Sequence, residues 1–309
     1  MTQTYLVTGG TGFIGRSLVR VLVERGDKVR SFDNDSRGSK EKLKGTDVEL
    51  ITGDIRDPLA VDKAVKGVDC VCHLAFVNGT GIFYRIPEII LDIAVRGMSN
   101  VISSCMRYGV KSMSVASSSE VYQTAPTIPT DETVPMSIPD PLNPRYSYAG
   151  GKLIGELMSL NFGRKYFDHV TIFRPHNIYG PDMGNAHVIP QLIEKIRPRL
   201  SENPICLQIQ GNGQETRSFC YIDDAVQGIL CILDKGEHLN IYNVGVQDEV
   251  TIETLVKKIG KAFGREIQIF PGELQSGGTL RRCPNVEKLK SLGYIPKISL
   301  DEGLLRCIQ

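Results

Sequence analysis

The stretch Tyr5-Leu-Val-Thr-Gly-Gly-Thr-Gly-Phe-Ile-Gly15 constrains the fold of this chain more than any other. Tyr5 to Thr8 is a short apolar, β-prone run and reads as a buried strand. Gly9 to Gly12 is a turn almost without side chains. From Phe13 an apolar stripe follows (Ile14, Leu18, Val21, Leu22) with Arg16, Arg20 and Glu24 off it. A helix therefore begins there, and Gly26 is its natural stop. Gly10, Gly12 and Gly15 fit a G-x-G-x-x-G spacing, while Gly9, Gly12 and Gly15 fit G-x-x-G-x-x-G. In either register the first glycines allow the turn, the middle one lets a pyrophosphate approach the backbone, and Gly15 lets helix and strand pack closely. The phosphates then sit at the positive end of the helix. A plain turn explains a bare glycine triplet; strand, glycines and helix in this order point to a bound dinucleotide.

The rest of the N-terminal part alternates strand and helix. Lys28 to Phe32 is a second strand, and Asp33 at its end stands about 20 residues beyond the turn, where a carboxylate accepts both hydroxyls of the adenosine ribose. It would repel a 2'-phosphate, so NAD is favoured over NADP, with Arg37 the nearby counterweight. Val48 to Ile51 is a third strand, followed by Gly53-Asp54-Ile55. Val68 to Leu74 is a fourth, ending in His73-Leu-Ala-Phe76, where small Ala75 leaves room for a dinucleotide and His73 reads as a satisfied core residue. Pro87 to Tyr108 is a long helix stopped by Gly109. Lys111 to Ala116 runs into Ser117-Ser-Ser-Glu-Val-Tyr122. Thr124 to Asn143, with five prolines, is a long irregular loop of the kind that is usually functional. A helix from Ser147 to about Phe167 places Tyr148 and Lys152, at i and i+4, on one face. Val170 to Phe173 is the sixth strand.

This pattern is that of an α/β fold, a Rossmann-type doubly wound parallel sheet with a smaller, interleaved C-terminal α/β substrate-binding region. The expected division is 1–174 plus about 218–245 for the dinucleotide part, and 175–217 with 246–309 for the substrate part. In the latter, Gly211 to Arg217 reads as a turn with an arginine, and Ser299-Leu-Asp-Glu302 as a capping box.

Composition excludes several classes. A net charge of +1 gives no electrostatic reason to expect nucleic acid. No apolar run approaches the roughly 20 residues of a membrane span, and the N-terminus runs straight into a strand, so neither a membrane nor a signal peptide is expected. The eight cysteines are scattered, mostly in apolar segments. Cys70-Val-Cys72 lacks metal-ligand spacing, and its thiols are expected on opposite faces of a strand. Reduced cysteines in a cytoplasmic protein, with no metal, are the expectation.

Tyr148 and Lys152 form Tyr-x-x-x-Lys. A free phenol titrates near about 10, too high for a base at neutral pH, and an ammonium one turn away favours the phenolate. Behind a dinucleotide turn, with serine hydroxyls at a strand end, Tyr148 can take a proton from a substrate hydroxyl while hydride leaves for the cofactor.

The chain resembles the extended short-chain dehydrogenase/reductases of the NAD-dependent epimerase/dehydratase family. The matching stretches are Thr8 to Gly15, Asp33-Asn34, Gly53-Asp54-Ile55, His73-Leu-Ala75, Ser117 to Tyr122, Tyr148-Ala-Gly-Gly-Lys152, Asn177-Ile-Tyr-Gly-Pro181, Gly211 to Phe219, Tyr242-Asn-Val-Gly245 and Arg282-Cys-Pro-Asn285. The resemblance implies NAD held by Gly9, Gly12, Phe13, Ile14, Gly15, Asp33, Asn34, Asp54, Ile55, Leu74, Ala75, Tyr148 and Lys152. It implies a nucleotide-diphosphate sugar as substrate, bound by Ser118, Asn177, His187, Arg217 and Arg282. Tyr148 falls on the family's base, Lys152 on its helper and Ser118 on its catalytic hydroxyl. A homodimer through Pro87–Tyr108 and Ser147–Phe167 is expected.

Oxidation at sugar C4 acidifies C3 and C5, and neighbouring groups decide the fate of the keto sugar. Ser119 stands where a 4,6-dehydratase has Asp, which disfavours loss of water. Glu120 remains as an acid, and hydroxyl-Ser-Glu before Val-Tyr resembles the UDP-glucuronate decarboxylases. A 3,5-epimerase would pair Glu120 with His187, although that family has cysteine at the Glu120 position. A 4-epimerase needs only Ser118, Tyr148 and Lys152, and is the simplest expectation; a non-catalytic NAD-binding sensor would need no such set. The chain departs from the family's pattern at Gln123, Gly150-Gly151 and Ala94. His176 and the Asp182–His187 loop read as specificity features.

Overall fold

Leu6 faces one side of a sheet while Tyr5 and Val7 face the other, and the core divides accordingly. A computed structural model describes residues 2–273 and 279–309. Strands β1 (Thr4–Thr8), β2 (Lys28–Asp33), β3 (Glu49–Thr52), β4 (Cys70–His73), β5 (Ser112–Ala116) and β6 (His169–Pro175) pair in parallel with each other and with a last strand, Asn240–Val244. Their order is Asn240–Val244, β6, β5, β4, β1, β2, β3. This is the doubly wound sheet expected of the sequence. The order reverses between β1 and β4, and open α/β sheets take their ligands at that crevice.

Side chains two apart on a strand share a face. Tyr5, Val7 and Val29 therefore pack with Leu18 and Leu22 of helix α1 (Phe13–Glu24), and with Val226, Ile229 and Ile232 of the helix Ile222–Lys235. On the other face Leu6, Phe32 and Val71 meet Val61 and Val65 of helix α2 (Pro58–Val65) and Val101 and Ile102 of the long helix. The same rule corrects the reading of the two thiols: Cys70 and Cys72 both lie in the first cluster, and only Val71 between them turns to the second.

The long helix runs from Pro87 to Tyr108, with a π turn at Ile93–Gly97 and a left-handed Gly109 as its stop. By length and composition it could cross a membrane, which corrects the expectation that no run comes near; half of its apolar window is buried inside the fold, as in a core helix. Beside it packs the helix Ser147–Tyr166.

The C-terminal elements are shorter. Ile205–Gln208 pairs with Ile267–Phe270, and Thr216–Ser218 pairs with both Glu249–Thr251 and Arg281–Arg282. Arg217 thus stands on a strand, not in the turn expected for it, with Arg282 as its register partner. The capping box is half formed: Ser299 Oγ accepts from the Glu302 amide at 3.3 Å, but the Glu302 carboxylate binds Arg306 at 2.7 Å instead of returning. The proline-rich loop is irregular, as expected, and is pinned where Thr130 N donates to Cys283 O at 2.8 Å and Asn285 N donates to Thr130 O at 2.7 Å. It thereby fixes the segment that carries Arg282.

Candidate active site

The glycine turn and α1 open one cleft. Gly9 has φ +72°, and a Cβ on Gly15 would lie 2.0 Å from Gly9 O, so these two positions tolerate no side chain. Gly12 precedes α1 without any side-chain cap, which leaves first-turn N–H groups facing the cleft. Asp33 Oδ2 accepts from Thr11 N at 3.1 Å, tying the end of β2 to the turn. Asp54 accepts from Asn34 Nδ2 at 3.1 Å and pairs with Arg56 at 2.8 Å; these bonds outweigh its burial and hold its carboxyl at about 2. Leu74 and Ala75 donate their amides to Thr8 Oγ1, each at 3.2 Å, and the Ala75 backbone crowds Gly9. His73 is the buried core residue expected: its Nδ1 bonds Thr8 Oγ1 at 2.8 Å.

Ser118, Glu120, Tyr148 and Lys152 line the same cleft, whose volume is about 390 Å³. Ser118 lies two residues past β5 and caps the turn Ser119–Tyr122, accepting from the Glu120 amide at 3.2 Å. Tyr148 is buried against Phe83, stacked at 4.8 Å, and Phe76, edge-on at 5.3 Å. Burial pushes its phenol up to about 12, while Ser118, Arg37 and Arg282 act to lower it. Lys152 Nζ donates to Ala116 O at 2.8 Å and lies 5.9 Å from the Tyr148 ring centre. Burial drops the Lys152 ammonium to about 7, against the pull of Glu156. The ammonium stands beside a phenol that needs a cation to ionise.

At the far end Asn177 and His187 also line the cleft, Asn177 fixed by donation to Ser218 O at 3.0 Å. Arg282 Nη1 pairs with Glu120 at 2.7 Å. Burial raises the Glu120 carboxyl, but Arg282, Arg145 and Arg217 together bring it below its ordinary value. Arg217 itself points elsewhere, to the carbonyls of Thr216 at 2.7 Å and Leu280 at 3.3 Å, and does not line the cleft. Its effect on the site is electrostatic.

Several lining residues carried no assignment from sequence. Phe76, just past Ala75, and Phe83, on the helix Thr80–Arg85, are aromatic lining residues. Arg16, Lys42 and Asp182 form a second group: Asp182 lies 3.5 Å from Arg16 and 3.4 Å from Lys42, joining the Asp182–His187 loop to α1 and the segment after β2. Their charges were visible in the sequence, but nothing local brought them together.

Residues 5–245 match the model of the NAD dependent epimerase/dehydratase family. The chain belongs to that family. It is 31% identical over 309 residues to a putative UDP-glucose 4-epimerase of Methanocaldococcus jannaschii, covering 98% of this chain and 96% of the relative. It is equally 31% identical over 309 residues to UDP-glucuronic acid decarboxylase 6 of Arabidopsis thaliana, covering 97% of this chain and 86% of that one. The solved UDP-glucose 4-epimerase of Thermotoga maritima with UDP-glucose superposes with a TM-score of 0.87 at 29% identity, over 99% of this chain and 97% of the other. This is a family of NAD-dependent nucleotide-sugar enzymes, epimerases and decarboxylases among them.

The cleft of this family member fits NAD. The uncapped first turn of α1, the side-chain-free Gly12 and Asp33 at the end of β2 match a pyrophosphate flanked by an adenosine ribose. When bound, the cofactor supplies a reversible acceptor for hydride. Tyr148, Lys152 and Ser118 line the same cleft.

Proposed function

We propose that this chain is a nucleotide-sugar epimerase acting through transient oxidation at sugar C4, with 4-epimerisation as the net reaction. The observation that carries the reading is the convergence of Ser118, Tyr148 and Lys152 on one cleft with the glycine turn. Tyr148 takes the proton of the C4 hydroxyl, Ser118 orients that hydroxyl and relays the proton, and Lys152 favours the phenolate. Asn177, His187 and Arg282 hold the diphosphate and sugar, with Arg217 adding field at a distance. Nothing more is required for inversion at C4 than room for the keto sugar to turn over.

Glu120 supports this reading over decarboxylation while its ion pair is intact. Held by Arg282 at 2.7 Å and kept ionised, it is a poor donor for the proton that must replace carbon dioxide. The same contact defines the second reading. A sugar carboxylate competing for Arg282 would release Glu120, which could then protonate, and the enzyme would be a UDP-glucuronate decarboxylase.

The test is product analysis by mass spectrometry and proton NMR over UDP-, GDP-, CDP- and dTDP-sugars. An isomer of unchanged mass supports the epimerase; loss of carbon dioxide supports the decarboxylase; loss of water overturns both. Tyr148→Phe should abolish turnover while NAD still binds, and surviving turnover would refute the base assignment.

The enzyme is further read as a homodimer. Leu91, Val95 and Met106 of the long helix, and Leu157 and Phe162 of the tyrosine helix, are exposed apolar residues on neighbouring helices. Leu157→Glu with Phe162→Glu should halve the mass seen by light scattering. The eight free cysteines suit the reducing cytoplasm, where we place the enzyme.

A further inference from the structure

Phe76 touches both members of the Tyr-x-x-x-Lys pair. It follows β4 at the edge of the cleft, with its ring centre 4.0 Å from Lys152 Nζ and 5.3 Å from the Tyr148 ring, at an interplanar angle of 88°. Among the described residues the Lys152 ammonium donates to Ala116 O at 2.8 Å. Glu156, one turn further along the same helix, is engaged elsewhere: Arg174 binds it at 2.6 Å, and Ser117 Oγ donates to it. The ammonium therefore rests between a carbonyl oxygen and the negative face of a phenyl ring. An aromatic face attracts a cation most strongly where water is excluded, and Lys152 is buried.

The place of the ring depends on a missing side chain. A Cβ on Gly151 would stand 3.1 Å from Phe76 Cζ and 2.8 Å from Ala94 Cβ. Gly151 and Ala94, two of the departures visible in the sequence, are thus one packing unit with Phe76. Glycine costs a helix about 1 kcal/mol relative to alanine, so its presence in mid-helix beside the lysine calls for a local reason, and the Ala94 methyl, the nearer obstacle, supplies one together with the ring.

We propose that Phe76 is a positioning residue that keeps the Lys152 ammonium charged and fixed beside Tyr148, and that Gly151 is glycine to admit Ala94 and this ring together. The role rests on the reading of Tyr148 and Lys152 as the catalytic pair. The other groups around the ammonium leave the ring a distinct part. On its own helix stand Tyr148 and the arginine-bound Glu156. β4 brings His73, which burial holds neutral, with Lys152 pushing the same way. β5 brings the carbonyl of Ala116. Glu120, paired with Arg282, and Arg37 are charges that act on Tyr148 across the cleft, which Arg16, Asp33, Lys42, Asp54, Asp182 and His187 also line. Burial alone drives the ammonium toward neutrality near pH 7; the ring face opposes that drive.

The test titrates Lys152 directly, by NMR of the full chain loaded with NAD and carrying carbon-13-labelled lysine, with Lys152→Arg assigning the signal. Phe76→Leu should lower the midpoint by about one pH unit. Phe76→Tyr, which keeps the ring, should leave it within a few tenths of a unit. Gly151→Ala, which keeps Phe76 in the sequence but displaces its ring, should move the midpoint in the same direction as Phe76→Leu. An unmoved midpoint in Phe76→Leu, or an equal fall in Phe76→Tyr, overturns the proposal. Turnover surviving in Tyr148→Phe overturns the catalytic reading and the positioning role with it. An inactive Tyr148→Phe together with an unmoved Lys152 midpoint in Phe76→Leu overturns the positioning role alone.

Discussion

Arg174 Nη2 lies 2.6 Å from Glu156 Oε2, and neither side chain is more than 2% exposed. The pair joins β6 to the tyrosine helix behind the cleft. Ser117 donates to the same carboxylate, and the Arg174 guanidinium lies 4.6 Å from the Tyr122 ring centre. A buried pair of this kind contributes little relative to well-packed apolar residues, but breaking it leaves an uncompensated charge. Arg174→Met should therefore cost about 3–5 kcal/mol in urea unfolding, and Glu156→Leu in that background should recover much of it. If the double variant is as unstable as the single, the network acts through packing and not charge.

The cofactor end of the cleft makes a separate prediction. A methyl at Gly15 would sit 2.0 Å from Gly9 O and force the turn open. Gly15→Ala should weaken NAD binding by at least about 30-fold, equivalent to ~2 kcal/mol, by calorimetry. Asp33→Ser should instead change preference, raising the affinity for NADP relative to NAD about tenfold, or ~1.4 kcal/mol, because it removes the charge that repels a 2'-phosphate. An unchanged ratio would mean that Asp33 serves its bonds to Thr11 and Asp35 and not the choice of cofactor.

Glu120 and Arg282 divide the two chemistries. In an epimerase Glu120→Gln should retain turnover within about tenfold, ~1.4 kcal/mol in the barrier, since no third acid acts. In a decarboxylase the same change should abolish release of carbon dioxide. Arg282→Met should weaken nucleotide-sugar binding in either case by about 2 kcal/mol or more, as loss of a charge-assisted contact. The measurements are product formation and substrate titration of the NAD-loaded protein.

Acid should destabilise the fold through two histidines. His73 bonds Thr8, and His176 bonds Asn243 Oδ1 at 3.0 Å; burial pushes both imidazoles down to about 3. The unfolded chain titrates them near about 6.5, so below that pH it binds more protons than the folded chain and stability falls. The window runs from about 6.5 to about 3. Between pH 7 and pH 5 each should cost about 2 kcal/mol in urea unfolding free energy, and His73→Asn should remove about half of the combined loss. An identical pH dependence in the variant would exclude His73 as a source.

The sequence determined the elements and their kind. The glycine turn, the apolar strands and the stripe of α1 are local patterns with periods of 2 and 3.6, and they specified the doubly wound sheet without knowledge of any distant contact. Ser118, Tyr148 and Lys152 were legible because strand ends and one helix face place them by local geometry. Face assignment within a strand was equally available, yet Cys70 and Cys72 show how easily its period is misread. Tertiary structure alone decided what lies between elements. Glu120 and Arg282 meet across 162 positions of chain, Arg217 turns to the carbonyls of Thr216, Thr279 and Leu280, and Phe76 reaches Lys152 beside Gly151. Such contacts depend on how finished elements pack, and packing is set by the summed shape of both partners, which no local run of residues encodes.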